Sequence, residues 1–222
     1  MRFIAAAAVV LLMLSGCSFL PAMAELDDAF TVVIDPGHGG RDGGASTPTG
    51  VKESDLNLEI SARLESLLGL MGWQTVMTRT EDTHLGGSNF KKAADIKARL
   101  AITEENAADV LVSIHQNHYS DSRYGGSQVF YGSSAGSDAL AQAVQSNLKT
   151  ALDEDNNRTI KSGTDTAYLM KNADCTAILV ECGFLSNPAD AENLQSDDYQ
   201  KKVAMAVAAG LIQFKGESPD ES

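Results

Sequence analysis

Apolar and polar residues follow one another along the chain in a pattern that predicts strands and helices in turn. Short apolar or β-branched runs predict strands near residues 31–35, 74–79, 110–115, 127–131, 167–170 and 177–182. Longer segments with apolar residues at helical spacing predict helices near residues 55–71, 91–107, 137–151 and 198–214. Because strands and helices alternate, we predict a single α/β domain with a central, mostly parallel six-stranded sheet and helices on both faces.

Three of these strands lead into residues that can bind a metal ion or transfer a proton. These residues are His38 after the first strand, His115 at the end of the third and Glu181 in the last. Strand ends in α/β sheets are where such proteins bind ligands. Glu53 stands just ahead of the first predicted helix, where the helix macrodipole stabilises an anion. From the residues alone, His38 can be a metal ligand, a base or a turn residue.

The motifs at these positions resemble those of the amidase-3 family of zinc-dependent N-acetylmuramoyl-L-alanine amidases. The matching segments are Asp35–Gly40, Glu53, Ser113–His115 and Val180–Asn187. The resemblance covers roughly residues 30–214, which is nearly all of the chain that follows the apolar N-terminus. It implies that His38, Glu53 and His115 bind Zn²⁺ and that Glu181 is the catalytic acid/base.

The chemistry of these residue types agrees with the resemblance. Two imidazoles and one carboxylate leave a fourth zinc position for water, as in catalytic zinc sites. Zinc lowers the pKa of its water to about 7, and a second carboxylate can take the water proton and return it to the leaving amine. The implied reaction cleaves the amide bond between N-acetylmuramic acid and L-alanine in peptidoglycan. Two alternatives stay open: another zinc peptidase or carboxypeptidase acting on wall peptides, and a non-catalytic peptidoglycan-binding lipoprotein.

Two further segments refine this interpretation. Asn117 matches the family pattern after the second histidine, whereas many relatives have a small residue where this chain has His118. Both are candidate substrate-binding residues, and a plain loop residue is the alternative for His118. Between the strand at 127–131 and the helix at 137–151 there is no room for the inserted helix that occludes the active site in some relatives. Arg79, the predicted helix over Lys91–Leu100 and the strand Gly126–Tyr131 resemble the spore-cortex, germination-specific subgroup.

The N-terminus predicts export. Residues 1–24 contain no acidic residue and include an apolar run, as a signal peptide does. We favour a lipoprotein box ending at Cys17 over ordinary cleavage after Ala24, and uncleaved anchoring is a third alternative. Each places the domain outside the cytoplasmic membrane, either as a membrane-anchored lipoprotein or secreted to the cell wall. The predicted order is then the signal at 1–24, a short linker at 25–29, the catalytic domain at 30–215 and a disordered acidic tail at 216–222.

Composition limits the partners. The chain carries 17 Lys and Arg against 30 Asp and Glu, a formal net charge of −13, which argues against nucleic acid or an anionic membrane surface. We expect peptidoglycan as the partner, a membrane contact only through a lipid anchor, and a monomer, and we leave open an activating protein. Cys175 and Cys182 flank an extended segment whose ends lie about 23 Å apart. That is too far for a disulfide between them.

Overall fold

The computed structural model describes residues 30–165 and 167–217. The strands are β1 (Thr31–Pro36), β2 (Gln74–Met77), β3 (Val110–Asn117), β4 (Gln128–Tyr131), β5 (Lys161–Ser162) and β6 (Thr176–Phe184). The helices are α1 (Glu53–Leu70), α2 (Lys92–Glu105), α3 (Ser137–Leu152), α4 (Tyr168–Asn172), α5 (Pro188–Leu194) and α6 (Asp197–Glu217). Among the described residues, no helix combines the length and apolar character needed to cross a membrane. The predicted signal and linker lie outside the described residues, as does the tail beyond Glu217.

The strands form one sheet in the order β2-β1-β3-β6-β4-β5. The strands β2, β1, β3 and β6 run parallel, and β4 runs antiparallel to β6. The prediction of a mostly parallel six-stranded sheet is therefore confirmed. The chain leaves β1 towards β2 on one side and returns to β3 on the other. The adjoining carboxyl ends of β1 and β3 are thus a topological switch point, where open α/β sheets bind ligands.

Helices cover both faces of the sheet, as predicted, but unequally. The larger apolar core lies on the side of α1, α3 and α6 and takes alternate strand residues such as Ile34, Ile114 and Val180. The smaller core lies on the side of α2 and α4 and takes the intervening residues such as Leu111 and Leu179. Central strands buried on both faces explain the continuous apolar runs in the sequence. The thinner cover on the second face leaves room for a cleft.

The predicted strand at 167–170 is wrong, because this segment forms the short helix α4. Leu169 and Met170 are adjacent and both buried, whereas Tyr168 and Lys171 are exposed. Two neighbouring buried residues fit a helical turn and do not fit the alternation of a strand. The sixth strand is instead the exposed two-residue β5.

Three further details differ from the prediction or extend it. Helix α5 was not predicted, and the side chain of Asn187 caps it by accepting from the N–H groups of Ala189 and Asp190. Helix α6 continues to Glu217, so residues 216–217 are helical and do not belong to a disordered tail. Cys175 and Cys182 are both free.

Candidate metal centre and active site

The ends of β1 and β3 and the start of α1 bring His38, Glu53 and His115 together. The carboxylate Oε1 of Glu53 lies 3.2 Å from Nε2 of His38 and 3.0 Å from Nδ1 of His115. One potential ligand atom from each residue lies within 4.8 Å of the other two. Glu53 is buried, whereas the two imidazoles are partly exposed, so the group opens to one side. These three side chains could hold a metal ion.

The turn after β1 places His38 in the site by means of a rare backbone conformation. His38 itself has a φ of 61°, in the left-handed region that a non-glycine residue rarely occupies. Gly37 lies so close to the second histidine that a Cβ there would be 2.2 Å from Nε2 of His115. Only glycine permits this approach, which brings the two imidazole rings to a centroid distance of 5.0 Å. The glycines of the motif therefore serve the spacing of the histidines.

Two buried arginines hold this turn by its carbonyl groups. Arg79 donates to the carbonyls of Pro36 and Gly37 at 2.9 and 3.0 Å. Arg99 donates to the carbonyl of His38 at 2.7 Å. Because guanidinium groups present several donors in a rigid fork, each arginine fixes the turn at more than one point. The left-handed residue is thus held by contacts on both sides.

Asp35, the last charged residue before the turn, is part of the same support. It is 1% exposed and accepts hydrogen bonds from Thr78 at 2.6 Å and from Ser113 at 2.7 Å. It also forms an ion pair with Arg99, which binds Asp95 at 2.8 Å as well. Burial alone would raise the pKa of Asp35, but Arg99 and the two hydroxyls outweigh it and hold the pKa below its usual value. Asp35 is therefore a structural group that is charged at neutral pH.

Glu53 is fixed as firmly as the turn. Its Oε2 accepts from the backbone N–H of Ala45 at 2.8 Å, and its Oε1 accepts from the backbone N–H of Gln116 at 3.2 Å. As the first residue of α1, it also lies at the positive end of the helix dipole. Burial would raise the pKa of Glu53, but His115 and His38 lower it far more strongly. The carboxylate is thus always available as an anion.

Asp42 lies beside the first imidazole. Its carboxylate lies 3.0 Å from Nδ1 of His38, on the opposite side of the ring from Glu53. Burial would lower the pKa of His38, and the two carboxylates Glu53 and Asp42 raise it. Metal-binding histidines often have a carboxylate beside their far nitrogen. In this structure Nδ1 of His38 makes no hydrogen bond among the described residues, so the contact with Asp42 is an ion pair only. This arrangement leaves Nε2 facing the centre of the site.

Glu181 differs from the other carboxylates in having no partner for one oxygen. It is the register partner of His115 on the neighbouring strand β6. Its Oε2 is buried and makes no hydrogen bond within the described part of the chain. Burial raises the pKa of Glu181 to about 7, and the charge of Glu53 adds to this while His115 and His38 oppose it. A carboxyl group of this kind can take up and release a proton near neutral pH.

These groups line one cleft of about 390 Å³ between α2 and α4. His38, His115 and Glu181 form part of its polar wall, and Asp42 and Lys92 lie beside them. The apolar side of the cleft consists of Ile96, Phe130, Ala167, Leu169 and Leu179. The cleft therefore combines a potential metal site with a proton-transfer group and an apolar surface for part of a substrate.

A family model for N-acetylmuramoyl-L-alanine amidases, Amidase_3, matches residues 32–213. The chain belongs to this family. It is 36% identical to the germination-specific N-acetylmuramoyl-L-alanine amidase of Bacillus subtilis in an alignment of 200 positions that covers 85% of this chain and 82% of that protein. It is also 31% identical to the amidase LytC of Bacillus subtilis. That alignment covers 83% of this chain but only 35% of LytC.

Solved structures agree with the family assignment. The CwlD amidase from Clostridioides difficile, solved in complex with the GerS lipoprotein, matches with a TM-score of 0.79 and 34% identity, covering 84% of this chain and 98% of that one. The amidase AmiC2 of Nostoc punctiforme matches with a TM-score of 0.74 and 32% identity, covering 84% and 97%. In this amidase only residues 132–136 separate β4 from α3, so the predicted absence of an inserted occluding helix holds for the described residues.

Two of the predicted site residues lie apart from the cleft of the amidase. Asn117 ends β3, and its backbone carbonyl accepts from Leu185 at 2.8 Å. His118 follows it and is exposed. Neither lines the cleft, although both come directly after the strand that carries His115. Their roles as substrate contacts stay predictions.

Sequence reasoning missed the residues that support the site. Arg79 and Arg99 lie in segments that look like an ordinary strand end and a helix, so neither stands out by spacing. One signal was available: Asp35 ends a run of buried apolar residues, and a buried carboxylate requires a cationic partner. Asp42, four residues after His38, was a second candidate for an outer partner of that histidine.

Proposed function

We propose that this amidase hydrolyses the amide bond between N-acetylmuramic acid and L-alanine in peptidoglycan, with Zn²⁺ held by His38, Glu53 and His115. Membership of the N-acetylmuramoyl-L-alanine amidase family supports the reaction. One observation carries the mechanism: the three potential ligands converge close to Glu181, whose Oε2 is buried and has no hydrogen-bond partner among the described residues, and His38, His115 and Glu181 line the same cleft. A ligand group and a free proton acceptor are the two parts that metal-assisted amide hydrolysis needs.

The three side chains fit zinc. Two imidazole nitrogens and one carboxylate oxygen are the donor set of many catalytic zinc sites. The anionic Glu53 supplies charge, and the carboxylate of Asp42 lies 3.0 Å from Nδ1 of His38 on the far side of the ring. When bound, zinc would polarise the amide carbonyl and make water a stronger nucleophile.

Glu181 performs the proton transfers in this proposal. Burial raises the pKa of Glu181 to about 7 in the metal-free protein, and its Oε2, which has no partner among the described residues, can accept the proton of the attacking water. It then returns the proton to the nitrogen of L-alanine as the amide bond breaks. Asp35 cannot take this role, since Arg99, Thr78 and Ser113 occupy its oxygens. We assign substrate contacts to Asn117 and His118, which follow the strand that carries His115.

The cellular setting belongs to the same proposal. We propose that the protein is exported and acts at the cell wall, either lipid-anchored through Cys17 or secreted after cleavage at Ala24. The structure of the CwlD amidase was solved in complex with the GerS lipoprotein. We propose that this chain also binds a partner protein. Replacement of Cys17 by Ser should release the protein from the membrane fraction or stall it as a precursor. A native protein that begins at Glu25 and is soluble without detergent would rule out the lipid anchor.

Mass spectrometry of digested peptidoglycan tests the proposed bond. The zinc-loaded protein should release stem peptides that begin with a free L-alanine amino group and leave glycan without peptide. Shortened peptides still attached to glycan would instead indicate a carboxypeptidase. Tight binding to peptidoglycan without any released product would indicate a non-catalytic wall-binding protein.

A further inference from the structure

We propose that Asn57 is a positioning residue that aligns the three ligand-bearing segments for the metal. This inference rests on the proposed metal site at His38, Glu53 and His115. Asn57 lies one turn beyond Glu53 in α1 and is fully buried. It touches no cleft surface, so any effect on the metal must pass through the residues that it contacts.

The side chain of Asn57 reaches a neighbour of each histidine. Its amide nitrogen donates to the carbonyl of Gly37, the residue before His38, at 3.1 Å. Its amide oxygen accepts from Nε2 of Gln116, the residue after His115, at 3.1 Å. One side chain therefore links the turn after β1 to the end of β3.

The same side chain also reaches the third ligand. The amide nitrogen of Asn57 makes a longer contact of 3.5 Å with Oε1 of Glu53, the oxygen that faces both histidines. The backbone N–H of Gln116 donates to that oxygen at 3.2 Å. Asn57 and its partner thus hold the carboxylate from two directions.

Chemistry allows only one orientation of this network. The carbonyl of Gly37 and the carboxylate of Glu53 can only accept, so the nitrogen of Asn57 must face them and its oxygen must face Gln116. Gln116 must then turn its nitrogen inward, and its own Oε1 is left buried without a hydrogen bond among the described residues. A buried polar atom without a partner is costly. This unfavourable group lies in Gln116, next to the proposed ligands Glu53 and His115, as expected if the network positions them.

Ser61 provides a matched control. It lies one turn further along α1, is also fully buried, and has a hydroxyl with no hydrogen-bond partner in the described chain. Within the described residues, its hydroxyl therefore makes no hydrogen bond to a ligand-bearing segment. Replacement of Ser61 by Ala therefore changes a buried polar residue of the same helix without changing the proposed alignment.

The experiment measures the zinc affinity of the full-length protein by competition with a chromophoric chelator. Asn57→Leu keeps most of the packing volume but removes all three contacts. Loss of an outer-shell partner typically costs about 10- to 100-fold in metal affinity. We expect that loss for Asn57→Leu, a smaller loss for Gln116→Met, and wild-type affinity for Ser61→Ala. The visible spectrum of the Co²⁺-substituted protein should shift in Asn57→Leu and not in Ser61→Ala.

A purely structural role predicts a different result. Urea unfolding of the metal-free variants would show lower stability, but the folded variants would bind zinc as tightly as wild type, and that outcome overturns the inference. If Asn57→Leu does not fold, Gln116→Met decides, because an unchanged zinc affinity there would also contradict the inference. A wild-type protein that binds no zinc, or a His38→Ala protein that binds it normally, would instead refute the proposed site itself.

Discussion

Asp35 near the end of β1 and Glu181 within β6 lie on the two strands that flank β3, and both line the same cleft. Both carboxylate oxygens of Asp35 accept hydrogen bonds, from Arg99, Thr78 and Ser113. Glu181 keeps one buried oxygen without a partner in the described residues. The pKa is therefore lowered in one and raised to about 7 in the other, although burial pushes both upwards.

This difference separates structure from chemistry. A carboxylate that is paired with an arginine and two hydroxyl groups stabilises the fold and stays ionised at neutral pH, so it has no proton to exchange. A carboxylate whose pKa is raised towards neutral by burial can take up and release a proton, and groups with such perturbed pKa values cluster at functional sites. The amidase thus uses the same chemical group for both tasks, and the partners of each group decide which task it performs.

The largest effect should come from removing the proposed metal ligands that lie between the two carboxylates. His38→Ala and His115→Ala should each reduce zinc from about one ion per chain to near zero and abolish activity, because two remaining ligands rarely hold zinc tightly. Elemental analysis of the purified variants checks this. His118→Ala is the control and should keep its zinc. Full zinc content in both ligand variants would refute the assignment.

The second-largest effect should be the loss of activity in Glu181→Gln. The amide side chain is nearly isosteric but cannot accept a proton, and removal of a general acid–base group costs about 10² to 10⁴ in rate. Turnover of soluble peptidoglycan fragments measures the loss, while zinc content and thermal stability should stay near wild type. A variant with nearly normal turnover would mean that another group transfers the proton.

Asp35→Asn should show the reverse pattern. Breaking a buried ion pair by removing one partner typically costs about 3–5 kcal/mol of stability, because it leaves a buried charge uncompensated. Urea unfolding should reveal this loss, and the rate per folded molecule should fall much less than in Glu181→Gln. A loss of unfolding free energy no larger than that of an average surface substitution would contradict the structural role of Asp35.

The smallest effect is in the pH dependence of stability of the metal-free protein. The lowered pKa of Asp35 adds stability that is present above its ordinary pKa of 3.8 and is lost as the pH falls through its folded value. Wild type and Asp35→Asn should therefore converge in strong acid. The raised pKa of Glu181 has the opposite effect on stability. Because the folded state disfavours the ionised carboxylate, the free energy of unfolding falls as the pH rises from the ordinary pKa of 4.5 to about 7. Glu181→Gln should then gain stability relative to wild type as the pH rises through this range, and a flat difference would contradict the raised pKa.

Much of the fold could be predicted because each central strand carries its own signal. The end of α1 was also predictable: Gly72 has a φ of +80° and its N–H donates to the carbonyl of Gly69 at 3.0 Å, as in a helix C-cap. The two-residue β5 has no apolar pattern, and the apolar run at 167–170 fits either a helix or a strand. Such short runs are decided by which face of the sheet needs cover, which is a tertiary property.

The proposed ligands could be named from the sequence because the motifs that carry them resemble those of the amidase-3 family, whereas their positions near strand ends and a helix start left the role of His38 open. Their supports could not, since Arg79, Arg99 and Asn57 act through contacts between residues far apart in the chain. Asn57, for example, lies 20 residues from Gly37 and 59 residues from Gln116. Only the packing of α1 against β1 and β3 brings these groups within hydrogen-bonding distance. Sequence patterns thus indicate which groups do chemistry, whereas the fold determines what orients them.

A crystal structure of the zinc-loaded protein, with anomalous data on both sides of the zinc absorption edge, tests the central claim most directly. The account predicts one zinc peak, bonded to His38, Glu53 and His115, with Glu181 nearby but outside the ligand set. A peak bonded to Glu181, or one located away from the three side chains, would contradict the division between ligands and proton-transfer group.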